Sequence, residues 1–361
     1  MEPRVTVLMP VYNGMPYLKE AIESVLKQTL VDFELLIMID GSTDGSLECA
    51  RSYNDSRIVI VCNENNLGTS DNMNKGIELA RAPFVARLDQ DDISLPKRFK
   101  EQLKFFETHP DIAIVCSWEY GIDSQGRKVR NWQGKIENYG AFLGPLVVSK
   151  CPIWHPSIMF RRQAMLEAGG YNKVYQPVED FELTMRLALK GYRAAIVPKY
   201  LVMQRHHGNR QSVTKLEAQK KMTQRVHQEM LEKFCPIEDV ESLGQFFRLE
   251  KEFWIYGKSK NHLVSTLMVL KKTLEKIRET YQLSDEEFIS LVNIVYARLG
   301  CGAKLGIKFS FLPEKLFYLV FFFLSPFLFP PFRKFAVILY EFMRELRYPG
   351  RLLREGLEKR T

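Results

Sequence analysis

Apolar and polar positions alternate in blocks along the first ninety residues. A β-branched run from Val5 to Val11 closes on Tyr12-Asn13-Gly14, the pattern of a buried strand ending in a turn. Pro16 to Gln28 then places Leu18, Ile22, Val25 and Leu26 at helical spacing. Phe33 to Ile39 reads as a second strand, Thr43 to Tyr53 as a helix, Ile58 to Cys62 as a strand, Thr69 to Ala80 as a helix and Phe84 to Leu88 as a strand. Near-continuous apolar strands separated by helices predict a parallel sheet covered on both faces, with its ligand beyond the carboxyl ends of the strands. Four polar tips, residues 10–14, 40–44, 63–68 and 89–92, are therefore expected to converge on one site. Mixed segments follow to about Ser212, and a charged helical region runs from Lys215 to Leu299.

The last sixty residues change character. Leu316 to Phe332 carries no charge, is dense in Phe, and is bordered by Lys315, Arg333 and Lys334. A spanning helix needs about 20 apolar residues. This run is shorter and broken by Pro326, Pro330 and Pro331, so a monotopic or re-entrant insertion is expected over a clean span. Phe335 to Tyr348 then reads as a basic amphipathic helix suited to anionic lipid, a buried helix pair or oligomer interface being the alternative. The organisation expected is a catalytic domain over 1–214, a helical extension over 215–312 and a membrane-associating segment over 313–361.

Composition narrows the classes. In 361 residues, 46% hydrophobic and 26% charged content is that of a globular chain. The net charge of +8 raises nucleic-acid binding, but acids are interspersed through the first two hundred positions and no basic run with interleaved aromatics appears there, so no nucleic-acid partner is expected. Six scattered cysteines without a C-x-x-C pair fit a reducing compartment, and no secretory signal is visible at the N-terminus. The expected location is cytoplasmic, peripheral or monotopic at the inner face of the cell membrane.

The chemistry concentrates at the tips. Asp89-Gln90-Asp91-Asp92 follows an apolar strand directly, and carboxylates so close repel unless a cation such as Mg²⁺ or Mn²⁺ neutralises them, which also suits a diphosphate. The plain alternative is an acidic N-terminus in which Asp92 or Ser94 caps a helix beginning near Leu95-Pro96. Asp40-Gly41-Ser42-Thr43-Asp44-Gly45-Ser46 puts a carboxylate at a strand end, a glycine at a sharp turn and hydroxyls at a helix start. Asn65-Asn66-Leu67-Gly68, with Asn72, Asn74 and Lys75, adds amides and a lysine on the same side. Farther on, Glu179-Asp180 opens a helix, where a carboxylate is placed to take a proton from an acceptor hydroxyl.

These motifs, M-P-V-Y-N-G, D-G-S-T-D-G-S, N-N-L-G-T-S-D-N-M-N-K-G and L-D-Q-D-D in this order, resemble family 2 glycosyltransferases over residues 4 to 212. The resemblance implies the A-type glycosyltransferase fold, an α/β domain with a mixed, mostly parallel central sheet, here followed by a helical C-terminal region. It further implies that Pro10 and Tyr12 line the base, Asp40 reads it, Asp89 contacts the ribose side, Asp91 ligates the metal, and Asp180 is the catalytic base. The segment from Gln204 to Ser212 resembles the family's R-x-H-x-x-x-x-S, which assigns Arg205 to the leaving diphosphate and His207 to the metal. Trp154-His155-Pro156-Ser157 fits the family pattern too, placing Trp154, His155 and Glu179 on the acceptor side, with core packing of Trp154 equally open.

The activity implied is an inverting, non-processive transfer from a nucleotide-diphosphate sugar, UDP favoured, to a glycan or lipid-linked hydroxyl, with Mn²⁺ or Mg²⁺, in cell-envelope polysaccharide or glycolipid synthesis. Many relatives carry a second Asp where this chain has Ile39. The polymerising members' Q-x-x-R-W is absent. The rivals are a nucleotidyltransferase of related fold and a catalytically silent membrane scaffold.

Overall fold

The computed structural model describes residues 2–208, 215–248 and 260–300. Its first strands are largely apolar, as strands covered on both faces are: β1 (Val5–Val11) is buried at every position but Pro10, and β2 (Phe33–Asp40) at all eight, with buried Thr6 and Glu34 hydrogen-bonded to each other at 2.6 Å. With β3 (Ile58–Asn63) and β4 (Phe84–Arg87) they pair in parallel, in the spatial order β3-β2-β1-β4. The crossovers are α1 (Leu18–Leu26), α2 (Ser46–Arg51) and α3 (Thr69–Leu79). Helix α1 turns Leu18, Ala21, Ile22 and Val25 into the core, the face its spacing predicts. Helix α3 lies so close to β1 that a Cβ on Gly76 would come within 2.2 Å of a Leu8 methyl. Helix α2 is shorter than the apolar pattern predicts, because Gly45 adopts a left-handed φ of +86° and starts the helix after it.

The sheet then changes direction. After β5 (Ile93–Ser94) and α4 (Arg98–Thr108) come β6 (Ile112–Ile122), β7 (Lys128–Trp132), α5 (Tyr139–Val147), β8 (Met159–Arg161), α6 (Arg162–Ala168), α7 (Glu179–Leu189) and β9 (Arg193–Arg205). Strand β8 runs antiparallel to both β4 and β6, β9 is parallel to β6, and β5 is antiparallel to β9. The full order β3-β2-β1-β4-β8-β6-β9-β5, with β7 on β6, makes the sheet mixed but parallel through its first half. The β6–β9 ladder shifts register at Ile112/Ile114 and around Trp118, which breaks the two-residue period and explains why these long strands read as mixed segments.

Residues up to Met230, together with Leu283–Leu291, form one compact unit. It includes nearly all of α8 (Leu216–Leu231), held by His227 to the Val147 carbonyl at 2.7 Å and by Tyr175 to Glu229 at 2.7 Å. A second unit comprises the described residues of Leu231–Gln282 and those from Val292 to Gly300. There α9 (Ile237–Arg248) and α10 (Lys260–Tyr281) meet through Ser242 and Thr266, 3.1 Å apart. A further helix, α11, spans Asp285–Gly300. Among the described residues no helix is long and apolar enough to cross a membrane. The Phe-rich run of 316–332 and the basic helix expected over 335–348 lie outside the described residues.

Candidate active site

Most polar side chains of the first two tips hold the protein to itself. Asp44 Oδ2 accepts from Met15 N (2.8 Å) and its Oδ1 from Ser46 Oγ (2.5 Å), while Ser46 Oγ takes the Gly14 N–H (2.9 Å). Burial works against the Asp44 charge, but the Ser46 hydroxyl and the Met15 and Ser46 amides prevail and hold its carboxyl below the usual range. Asn13 and Ser42 complete the tie, so the second half of D-G-S-T-D-G-S fixes the Tyr12–Met15 loop. Asp40, 3% exposed, accepts from Asn63 Nδ2 and Leu67 N at 2.9 Å and from Gly68 N at 3.0 Å. Lys75 is bound to Asn63 Oδ1 at 2.7 Å.

At the acidic tip each carboxylate has a different partner. Asp89 pairs with Arg87 Nε (2.8 Å), Asp91 Oδ2 meets His207 Nε2 (2.8 Å), and Asp92 Oδ1 accepts the Arg205 N–H (2.8 Å). Gln90, between them, binds both backbone groups of Tyr12, accepting its N–H at 2.8 Å and donating to its carbonyl at 3.1 Å. Burial first, and then repulsion from Asp89, push the Asp91 carboxyl up against the His207 hydrogen bond. Asp92 is raised well above its usual value by burial and by Asp91 and Asp89. Asp92 caps no helix: Ser94 is in β5, and α4 begins only at Arg98 without a side-chain cap.

Arg205 corrects an expectation. Its side chain is 2% exposed and is not among the residues that line the cleft, with Nη2 on Glu20 (2.5 Å), Nε on the Asp91 carbonyl (3.0 Å) and its guanidinium over the Tyr17 ring. These bonds tie it to the backbone behind Asp91 and Asp92. Of the two readings open for Trp154 the structure favours packing: it is not among the residues that line the cleft, and its ring packs on Gly134, where a Cβ would lie 2.9 Å from it.

The far wall comes from the mixed half of the sheet. A single 3-10 turn, His155–Ser157, and the N-terminus of α7 bring His155, Glu179 and Asp180 to the cleft. His155 Nε2 lies 2.8 Å from the Tyr171 hydroxyl, and burial and then the charge of Arg87 drive the imidazole pKa well down, so the ring is neutral. Burial raises the Asp180 carboxyl, restrained by the Phe181 N–H it accepts at 2.7 Å and by Arg87. Glu179 is raised too, by burial foremost. Glu182 instead grips Arg186 with both oxygens, at 2.7 and 2.8 Å, and is structural.

One cleft of about 640 Å³ collects these groups. Pro10, Tyr12, Asp40, Asp89, Asp91, His155, Glu179, Asp180 and His207 all line it, from sequence positions almost two hundred residues apart. Sequence reasoning missed Arg87, Gln90 and Lys215, which line it as well. The signal for Arg87 was present: a lone cation at the end of an otherwise apolar strand, its side chain only 12% exposed. Burial disfavours its charge, but Asp89, Tyr171 and Glu179 around it outweigh that and raise its pKa.

Residues 6–169 match the family described as Glycosyl transferase family 2. An uncharacterized glycosyltransferase of Methanocaldococcus jannaschii is 30% identical over 223 residues, which cover 61% of this chain and 76% of that protein. The amylovoran biosynthesis glycosyltransferase AmsE of Erwinia amylovora is 31% identical over 201 residues, 55% of this chain and 74% of that protein. Among solved structures, S. aureus TarS 1–349 in complex with UDP-GlcNAc superposes with a TM-score of 0.53 at 16% identity, covering 83% of this chain and 91% of that one. The last likeness is one of fold, the A-type glycosyltransferase fold.

Proposed function

The chain belongs to glycosyl transferase family 2, and from that premise we propose that it is an inverting, non-processive transferase moving a sugar from a nucleotide-diphosphate sugar to a hydroxyl acceptor. The observation that carries this reading is that the acidic tip and the Glu179-Asp180 pair, from different halves of the sheet, line one cleft. Pro10, exposed Tyr12 and Asp40 provide a slot for the base, and Asp89 lies on the ribose side. Asp180, whose carboxyl burial makes more basic than usual, takes the proton of the attacking hydroxyl, a contribution of about 10²–10⁴-fold.

The residues present fit a divalent cation. Asp91 and His207, whose side chains meet at 2.8 Å on the cleft, would hold it, with diphosphate and water oxygens completing the shell, as hard cations prefer; among the described residues no three His, Cys, Asp or Glu side chains surround one point. When bound, Mn²⁺ or Mg²⁺ would neutralise charge on the departing diphosphate and on the crowded carboxylates. Lys215, at the same wall, is the protein cation available to the leaving group.

The likeness to AmsE, an amylovoran biosynthesis glycosyltransferase, supports a role in polysaccharide or glycolipid assembly, and the apolar and basic amphipathic segment over 313–361 supports peripheral membrane association after a catalytic region over 1–214 and a helical extension over 215–312. Truncation after residue 312 is expected to release the protein to the soluble fraction. The activity is tested by incubating the protein with UDP-glucose, UDP-GlcNAc and GDP-mannose, with Mn²⁺ or EDTA. Metal-dependent release of nucleoside diphosphate and a product of inverted anomeric configuration are expected. Conversion of the nucleotide sugar and added pyrophosphate to nucleoside triphosphate and sugar 1-phosphate instead would indicate a nucleotidyltransferase.

A further inference from the structure

Two polar atoms of the cleft wall have no hydrogen-bond partner among the described residues, although their residues are more than nine-tenths buried. They are Nδ1 of His155, 7% exposed, and Oε2 of Glu179, 8% exposed. A buried polar atom left unpaired costs about 1–3 kcal/mol, and both residues line the cleft, so a ligand atom there would recover that cost. Both residues line the same cleft as Arg87.

His155 Nε2 is committed to the Tyr171 hydroxyl, 2.8 Å away, which leaves Nδ1 to the cleft, as a donor or an acceptor according to the tautomer. Glu179 Oε2 offers a carboxylate oxygen. A hydroxyl, which both donates and accepts, is the ligand group that can pair with either tautomer and with the carboxylate. The place follows from the proposed function, because Arg87, on the same cleft, pairs with Asp89, at the ribose and phosphate end, while Glu179 adjoins Asp180, at the attacking end. What lies between those two is the sugar ring of the donor.

We propose that His155 Nδ1 and Glu179 Oε2 clamp one hydroxyl of the donor's sugar ring, and that this clamp selects which sugar is transferred. This moves both residues from the acceptor side to the donor, and it rests on the nucleotide-sugar reading above. A site built to hydrogen-bond a substrate hydroxyl rejects analogues lacking it far more strongly than an apolar pocket rejects a misfit.

The test compares wild type, His155→Ala, His155→Asn and Glu179→Gln on UDP-glucose, UDP-galactose, UDP-GlcNAc and GDP-mannose, then on the monodeoxy analogues of the best of these. Calorimetric UDP affinity with Mn²⁺ is measured alongside. His155→Ala and Glu179→Gln should lower kcat/KM for the best donor about 10- to 100-fold while UDP affinity stays unchanged. One deoxy analogue should be poor with wild type and lose nothing more in the variants. His155→Asn, whose amide nitrogen lies near the place of Nδ1, should recover part of the loss, and with Glu179→Gln it carries the test if the alanine variant fails to fold. An equal loss on every donor and every deoxy analogue, or a parallel loss of UDP affinity, overturns the clamp. Wild type inactive on every nucleotide sugar would instead overturn the underlying reading, and the clamp with it.

Discussion

On the wall built from β1, β2 and β3, Asp40 accepts three hydrogen bonds from its own chain, Asp44 and Ser46 tie the Tyr12–Met15 loop, and Lys75 is spent on Asn63. Across the cleft, His155 and Glu179 each keep a buried atom unpaired, and Asp180 is raised by burial. The first wall is finished before any ligand arrives, whereas the second leaves polar capacity open. Preformed loops lower the ordering cost of binding a nucleotide, while strained carboxylates supply reactivity. Substitutions on the two walls should therefore fail in different ways.

The sharpest contrast should come from Asp180→Asn, which keeps shape but cannot take a proton. Transfer is expected to fall by about 10²-fold or more, with metal-dependent UDP affinity nearly unchanged. Turnover like wild type would move the base to Glu179, because Glu182 is held by Arg186. On the opposite wall Asp40→Ala should act through the fold, leaving the Leu67 and Gly68 amides and the Asn63 side chain without their acceptor. A loss of about 2–4 kcal/mol in denaturant unfolding is expected. If stability is untouched while nucleotide affinity collapses, Asp40 belongs to the ligand and the comparison between the walls breaks.

Asp91→Asn lies between the two. It should weaken UDP binding about 10- to 100-fold in Mn²⁺ and leave binding in EDTA as it was. Equal affinities of the wild type in Mn²⁺ and EDTA would remove the metal from the account. The smallest effect is expected from Arg87→Gln, read in the pH profile. Arg87 lowers the Asp180 carboxyl pKa, so its loss should raise that pKa further. Because Asp180 acts only when ionised, the acid limb of kcat/KM should move to higher pH. A limb that stays in place would take Arg87 out of the electrostatics of the base.

Much of this was legible in the residues. The parallel half announced itself because its strands are buried on both faces, and the tips at Asp40 and at Asp89 to Asp92 converge as that topology requires. The antiparallel return through β8 was not legible, since three residues, Met159–Arg161, carry too little pattern to set a direction. Arg205 shows the other limit. The family resemblance assigned it to a phosphate, but its guanidinium is bound by Glu20, 185 positions earlier in the chain. Arg87 was passed over for the same reason: its weight comes from Asp89, Tyr171 and Glu179, which no local pattern brings together.

The burial of Arg205 has a consequence for His207. Roots at Glu20, Asp91 and Asp92 make the end of β9 a fixed post, and His207 hangs from it by two residues, a tether of about 7 Å at most. An imidazole on so short a leash reaches Asp91 at an effective concentration of millimolar or more, far above that of any free ligand competing for the same place. Cutting the post would leave the imidazole intact and dilute it.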